Sequence, residues 1–172
     1  MTTTKRPIAI QTEIDAARHR STLLGRPGFL IRRLHQVHCS LFLEETEAFG
    51  ITPVQYSLLT ALEQHGELDQ NTVALEVGLE RTTVAEVIPR LEARGLLQRR
   101  QSETDRRVKL VKLTRKGKTL VRKMEAAVQR AHDRTVDHLP PAARERFLLY
   151  LIRLVEATNE HGSVPYRLPP VE

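Results

Sequence analysis

Residues 80–95 read ERTTVAEVIPRLEARG, and residues 96–113 read LLQRRQSETDRRVKLVKL. In the first stretch Val84, Val87, Ile88 and Leu91 follow at gaps of three, one and three before Gly95, the pattern of an amphipathic helix with a glycine stop. The second stretch changes period. Leu96–Gln101 and Val108–Leu113 are short segments that alternate apolar and basic residues around the polar tip 102–107, which predicts a β-hairpin with a charged loop.

Working outward towards the N-terminus, Thr52-Pro53 supplies a cap and a first-turn proline for a helix over Val54–His65 that ends at Gly66. Asp69 caps a shorter helix through Leu75 and Val77, and Gly78 stops it. Three short helices followed by a hairpin make the plan of a winged helix-turn-helix. Further out, Leu30, Leu34, Val37 and Leu41 form the seam of a helix over 29–49 stopped by Gly50. On the other side Thr114 caps a long helix to about His138, with Leu120, Met124, Ala127, Val128 and Ala131 at helical spacing. Pro140-Pro141 breaks it before a last helix, Ala142–Asn159.

The expected class is therefore mainly α with a small β-hairpin wing: a winged helix-turn-helix core whose N- and C-terminal helices form a dimerisation region. The expected divisions are an N-terminal arm over 1–27, a dimerisation helix over 28–50 and the winged DNA-binding domain over 51–113. C-terminal dimerisation helices over 114–160 and a proline-containing tail over 161–172 complete the chain. The arm is punctuated by Pro7, Gly25 and Pro27; a short helix around Ile8–Arg20 is an alternative reading of it.

Composition narrows the function. The chain has 172 residues and a formal net charge of +6, and residues 81–116 alone carry +7 against −1 for the remainder. Positive charge concentrated on one helix and a hairpin is the footprint of nucleic-acid binding, with a solvated charged face as the alternative. One cysteine excludes an internal disulfide framework and a Cys-rich zinc module. No apolar run approaches the roughly eighteen residues of a membrane span, and no apolar signal core follows Met1, so a cytoplasmic protein without membrane contact is expected. No nucleophile elbow, phosphate-binding glycine loop, zinc motif or redox cysteine pair is present, which argues against an enzyme, and no cofactor is called for.

The recognition helix offers Arg81, Thr82, Thr83 and Glu86 to base edges. Arg pairs bidentately with guanine, Thr offers a hydroxyl or a methyl, and Glu accepts from cytosine. Arg90, Arg99 and Lys109 are placed for phosphates. At the hairpin tip Asp105 precedes Arg106 and Arg107. An arginine gains from the negative potential of a narrow minor groove, and a carboxylate beside it can hold its fork in place. The alternative is an ordinary turn aspartate beside two solvated arginines. Pro89 removes one helical hydrogen bond and should kink the second half of this helix.

Asp105–Gly117 (DRRVKLVKLTRKG), together with ITPVQYSLL over 51–59 and LEARGLL over 91–97, resembles the signature of the MarR family of bacterial transcriptional regulators. The resemblance runs from about Phe29 to Glu156 in the expected order. It implies a homodimer whose first and last helices pack together and whose two winged lobes read a palindromic operator on double-stranded DNA. It also implies repression relieved by a small-molecule effector, often aromatic and anionic, bound between the dimer region and the DNA lobe. By that likeness Asp105 braces the wing while Arg107, with Arg106, enters the minor groove.

The apolar seam of the first long helix and the stripe Phe147, Leu151 and Leu154 exceed what so small a lobe can bury, so a shared dimer core is expected; packing within one subunit is the alternative for some positions. His35, His38 and Phe42 lie on one face beside that seam, and Tyr56 on the next helix adds a phenol. They form either a site for an aromatic carboxylate (or its thioester) or a set of hydrogen-bonded interface residues that bind nothing. As imidazolium, His35 and His38 would hold an anion less well as pH rises. Two other sensing modes stay open: Cys39 as a redox switch, and a metal held by His35, His38 and Glu45 or by His132 and His138. A constitutive DNA binder without effector is the remaining reading.

Overall fold

A computed structural model describes residues 7–164 and 166. Seven helices and one small sheet follow in chain order. They are α1 Pro7–Arg20, α2 Pro27–Glu45, α3 Pro53–His65, β1 Leu68–Asp69, α4 Gln70–Val77 and α5 Arg81–Ala93, then β2 Leu97–Gln101, β3 Lys109–Leu113, α6 Arg115–Val136 and α7 Pro141–Thr158. Short 3₁₀ turns lie at Thr22–Gly25, Glu47–Phe49 and Asn159–His161. Among the described residues no helix is long and apolar enough to cross a membrane.

The helix ends follow local chemistry. The Thr52 hydroxyl accepts from the Gln55 amide at 3.3 Å while the Gln55 side chain accepts from the Thr52 amide at 3.2 Å, a reciprocal capping box at the start of α3. The Asp69 carboxylate takes the Asn71 and Thr72 amides at 2.9 and 3.1 Å and starts α4. The helix α5 runs unbroken through Pro89. Ala85, whose carbonyl loses its amide partner there, lies with Pro89 on the exposed side of the helix, where water can serve that carbonyl.

The hairpin of β2 and β3 pairs Leu97 with Leu113 and Gln101 with Lys109. A two-residue strand, β1, adds to the other side of β3 through Leu68 opposite Val111, giving the order β1-β3-β2. Nothing in the sequence pattern marks so short a strand. Beneath the sheet Leu58, Leu62, Val73, Ile88, Leu91 and Val111 are fully or almost fully buried, and Met124 and Ala131 of α6 close the same core.

One region departs from the expected outline. Residues 7–20 are a complete helix rather than an irregular arm, supported by a hydrogen bond from Gln11 to Asp15 at 3.0 Å and an Arg18–Asp15 pair at 3.2 Å. Arg18, His19 and Arg20 in its last turn suit the helix dipole. The proline tail falls mostly outside the described residues.

No residue of the helix α7 is fully buried. Leu148, Leu149, Tyr150, Leu151, Ile152, Leu154 and Val155 are all exposed, as are Leu30 and Val37 of α2, while Leu34 and Leu41 are half-buried.

Gly117, in the first turn of α6, sits directly on the Leu96 carbonyl, and a methyl group there would lie 2.0 Å from that oxygen. Gly117→Ala should therefore destabilise the protein by about 3 kcal/mol or more, because the obstacle is backbone that cannot rotate away. Urea unfolding measures this; a loss below about 0.5 kcal/mol would show that α6 can slide without cost.

Candidate functional site

The outer face of α5 presents Arg81, Thr82, Glu86 and Arg90 to solvent. Thr83 is half-buried and turns partly into the lobe. At the wing, the Ser102 amide donates to the Val108 carbonyl at 2.9 Å and closes the loop. Asp105 then does what a turn aspartate does well: its Oδ1 accepts from the Arg107 amide at 2.9 Å and from Arg107 Nε at 3.3 Å. The Arg107 side chain is nonetheless 92% exposed, so its base is fixed and its guanidinium projects from the tip. Arg106 and Lys109 are exposed beside it.

Other cations in the basic segment are committed to the lobe. Arg99, read as a phosphate contact, donates through Nε to Glu92 at 2.7 Å, and its Nη2 pairs with the same carboxylate. Arg100 grips Glu67 at 2.6 and 2.9 Å. These hydrogen bonds hold both carboxyls below the usual range, so each stays ionised. The Arg94 guanidinium donates to the Gly50 and Phe49 carbonyls at 2.7 and 2.9 Å, and Lys116 Nζ donates to the Arg94 carbonyl at 2.7 Å. Arg81, Arg90, Arg106, Arg107 and Lys109 are exposed too, and among the described residues only Arg107 of these five is ion-paired, with the neighbouring Asp105.

A second feature is a cavity of about 640 Å³ lined by α2, α3, α4 and α6. Its walls are unusually aromatic for a chain with three tyrosines, four phenylalanines and no tryptophan: Phe42, Tyr56 and Tyr166 line it with His38, His65 and His132. Phe42 and Tyr56 meet at 5.7 Å between ring centroids, tilted, and His38 stacks on His132 at 5.0 Å. His38, Phe42 and Tyr56 thus come together as read from the sequence. His35 does not: it lies outside this lining, with its Nε2 3.6 Å from Cys39 Sγ. The sequence reading missed His65 and Tyr166 altogether, and it considered His132 only as a metal ligand.

The hydrogen bonding around His38 assigns its tautomer. The Thr135 hydroxyl donates to the Ala131 carbonyl at 2.8 Å, so its oxygen is left to accept from His38 Nδ1–H at 2.9 Å. The neutral ring then keeps Nε2 as an acceptor. Burial, and then the neighbouring His132 and His35, push the His38 pKa below its ordinary value. At the α3–α4 side, His65 Nε2 lies 3.3 Å from Glu76 Oε2. Among the described residues no group of three or more His, Cys, Asp or Glu is arranged to hold a metal.

Comparison with known proteins places this arrangement. The profile of the MarR family matches residues 51–109. The PcaV transcriptional regulator of Streptomyces coelicolor, crystallised with its natural ligand, is 34% identical, with 79% of this chain and 96% of that one covered and a TM-score of 0.70. The chain belongs to the MarR family. It is a DNA-binding transcriptional regulator with the winged-helix fold. BpsR of Bordetella bronchiseptica, whose DNA binding is regulated by 6-hydroxynicotinic acid, is 33% identical over 75% of this chain and 97% of that one, with a TM-score of 0.69. The repressor NicR of Pseudomonas putida is 26% identical over 78% of this chain and 85% of its own length.

Because the His38 pKa is lower in the folded protein, the unfolded chain binds more protons between the two values, and stability rises with pH there. This contribution is present above the unfolded value of about 6.5 and is lost as pH falls from there through the lower folded value. Urea midpoints between about pH 7.5 and pH 5.5 should fall, and His38→Gln should flatten the fall. An identical pH dependence in the variant would mean that His38 protonates freely in the folded state.

Proposed function

We propose that the protein is a homodimeric repressor that leaves a palindromic operator when a small aromatic anion enters the cavity lined by His38, Phe42, Tyr56 and His132. The observation that carries this reading is the position of the cavity. It joins α2 and α6, which hold the stacked histidines, to α3 and α4, the scaffold of the recognition helix. A ligand that binds better in one spacing of these elements than in another shifts the orientation of α5 by that difference in affinity. The regulation of BpsR by an aromatic acid supports the ligand class.

The chemistry of the walls fits such a ligand. Flat apolar surface is supplied by Phe42 and Tyr56, and His38 Nε2 accepts from a phenol or, once protonated, donates to a carboxylate. Since an empty cavity keeps His38 neutral, a carboxylate brings a proton with it, and affinity falls as pH rises. Coenzyme A thioesters of the same acids are the second ligand class. The chain has no catalytic part in this scheme.

The exposed face of α7 supports the dimer. Seven large apolar residues exposed on an 18-residue helix need a partner surface, since an isolated helix of that length is marginal in water. A second copy, joined through residues 28–50 and 114–160, buries them and sets two 51–113 lobes on successive half-sites. The division at 113–114 is functional rather than physical, because Val121 and Met124 of α6 belong to the lobe's core. Arg81, Thr82, Thr83 and Glu86 then face bases, Arg90 and Lys109 face phosphates while Arg99, expected among them, stays on Glu92, and Arg107 enters the minor groove beside Arg106, braced by Asp105.

Fluorescence anisotropy on DNA from upstream of the protein's own coding region tests this reading. The wild type should bind specifically, and a hydroxybenzoate or 6-hydroxynicotinic acid should release it, more effectively at low pH once ligand ionisation is allowed for. Binding indifferent to every aromatic acid would overturn the effector assignment. Arg107→Ala should weaken binding and lower the salt slope by about one; unchanged affinity at several salt concentrations would remove Arg107 from the interface. In light scattering the wild type should have twice the 19.6 kDa chain mass, and Leu151→Glu with Val155→Glu should leave a monomer that binds DNA weakly. An intact dimer in that variant would place the interface elsewhere.

A further inference from the structure

Tyr166, beyond α7, lies at the cavity. Asn159, directly after α7, clamps the peptide of Tyr166 with both ends of its side-chain amide: Nδ2 donates to the Tyr166 carbonyl at 2.8 Å, and Oδ1 accepts from the Tyr166 amide at 2.9 Å. The tyrosine side chain is thereby set against the end of α4. Gly78, in the left-handed region at φ 61°, leaves an open surface there, and Tyr166 Cβ and Cδ2 lie 3.7 and 3.8 Å from where a Gly78 Cβ would stand. From this seat Tyr166 lines the cavity together with Tyr56 and the His38–His132 pair. Tyr166 stays 36% exposed at the rim, and two of the chain's three tyrosines line one cavity.

We propose that Tyr166 is a ligand-binding residue of the effector cavity, supplied by the segment after α7 to cover one face of a planar aromatic acid. This rests on the effector reading above and adds to it a residue outside the helices and the winged lobe. Its consequence is mechanical as well as chemical. Tyr166 is tied to the end of α7 by Asn159 and seated on α4 at Gly78, so a ligand gripped by it joins the outermost helix to the scaffold of the recognition helix.

The full chain can be titrated with 8-anilinonaphthalene-1-sulfonate, an aromatic anion that becomes fluorescent in apolar sites, with 6-hydroxynicotinic acid as competitor. Tyr166→Ala should weaken probe binding about three- to tenfold, the range expected for one aromatic contact. Asn159→Ala, which removes the clamp and keeps the ring, should weaken it by a smaller factor, and Tyr166→Phe should stay near the wild type. Tyr56→Ala serves as the control on the cavity itself. If Tyr56→Ala weakens the probe while Tyr166→Ala and Asn159→Ala match the wild type, the role of Tyr166 is overturned and the cavity stands. If neither tyrosine matters, the probe binds elsewhere and both the cavity reading and the role of Tyr166 fall.

Discussion

Everything in this molecule is referred to the point where α6 crosses the Leu96 carbonyl. Gly117 allows that approach because it has no side chain. Thr114 seals it: its hydroxyl donates to the Gly95 carbonyl at 2.7 Å, and its oxygen accepts from the Gly117 amide at 3.1 Å. The helix α5 ends at Ala93 and the hairpin begins at Leu97, so this contact fixes both to the start of one long helix. Fifteen residues further along the same helix stands His132, one of the cavity walls. In the proposed reading, a helix with the reading head at one end and the sensor at the other is a short mechanical path between them.

The basic segment shows how charge is divided between folding and binding. Arg94, Arg99, Arg100 and Lys116 satisfy carbonyls and carboxylates that α5, the sheet and the start of α6 bring close. Exposed pairs of this kind contribute little stability each, but they orient the strands and leave the remaining cations projecting. The net charge of the segment thus overstates the number of side chains available to DNA. The available ones lie on the outer face of α5 and at the wing, with Arg107 the most extended of them.

The parts of the fold legible in the sequence are those governed by local hydrogen-bond chemistry. Thr52, Asp69 and Thr114 cap the helices they were expected to cap, and Gly50, Gly66, Gly78 and Gly95 end elements with positive φ. The helix of residues 7–20 was obscured by its flanking prolines and glycine and by a weak apolar pattern. The strand β1 is too short for any periodicity. At the cavity, helical spacing brings His38 and Phe42 together, but the same spacing cannot tell that His35 lies a turn too far along α2 and turns to Cys39. His132 and Tyr166 meet residues on other elements far away in the chain, which only the packing of α2 on α6 and the return of the C-terminal segment reveal. The Arg99–Glu92 pair depends likewise on the turn from α5 into β2.

The most direct measurement is the distance between the two recognition helices in solution. Cys39 is the only cysteine, so Cys39→Ser with Ala85→Cys on the exposed side of α5 gives one spin label per chain for pulsed dipolar spectroscopy. Without ligand the distribution should include separations near the ~34 Å of successive major grooves, and 6-hydroxynicotinic acid or a hydroxybenzoate should move the population away from them. A missing dipolar signal, or an unchanged distribution with the cavity occupied, would contradict the account.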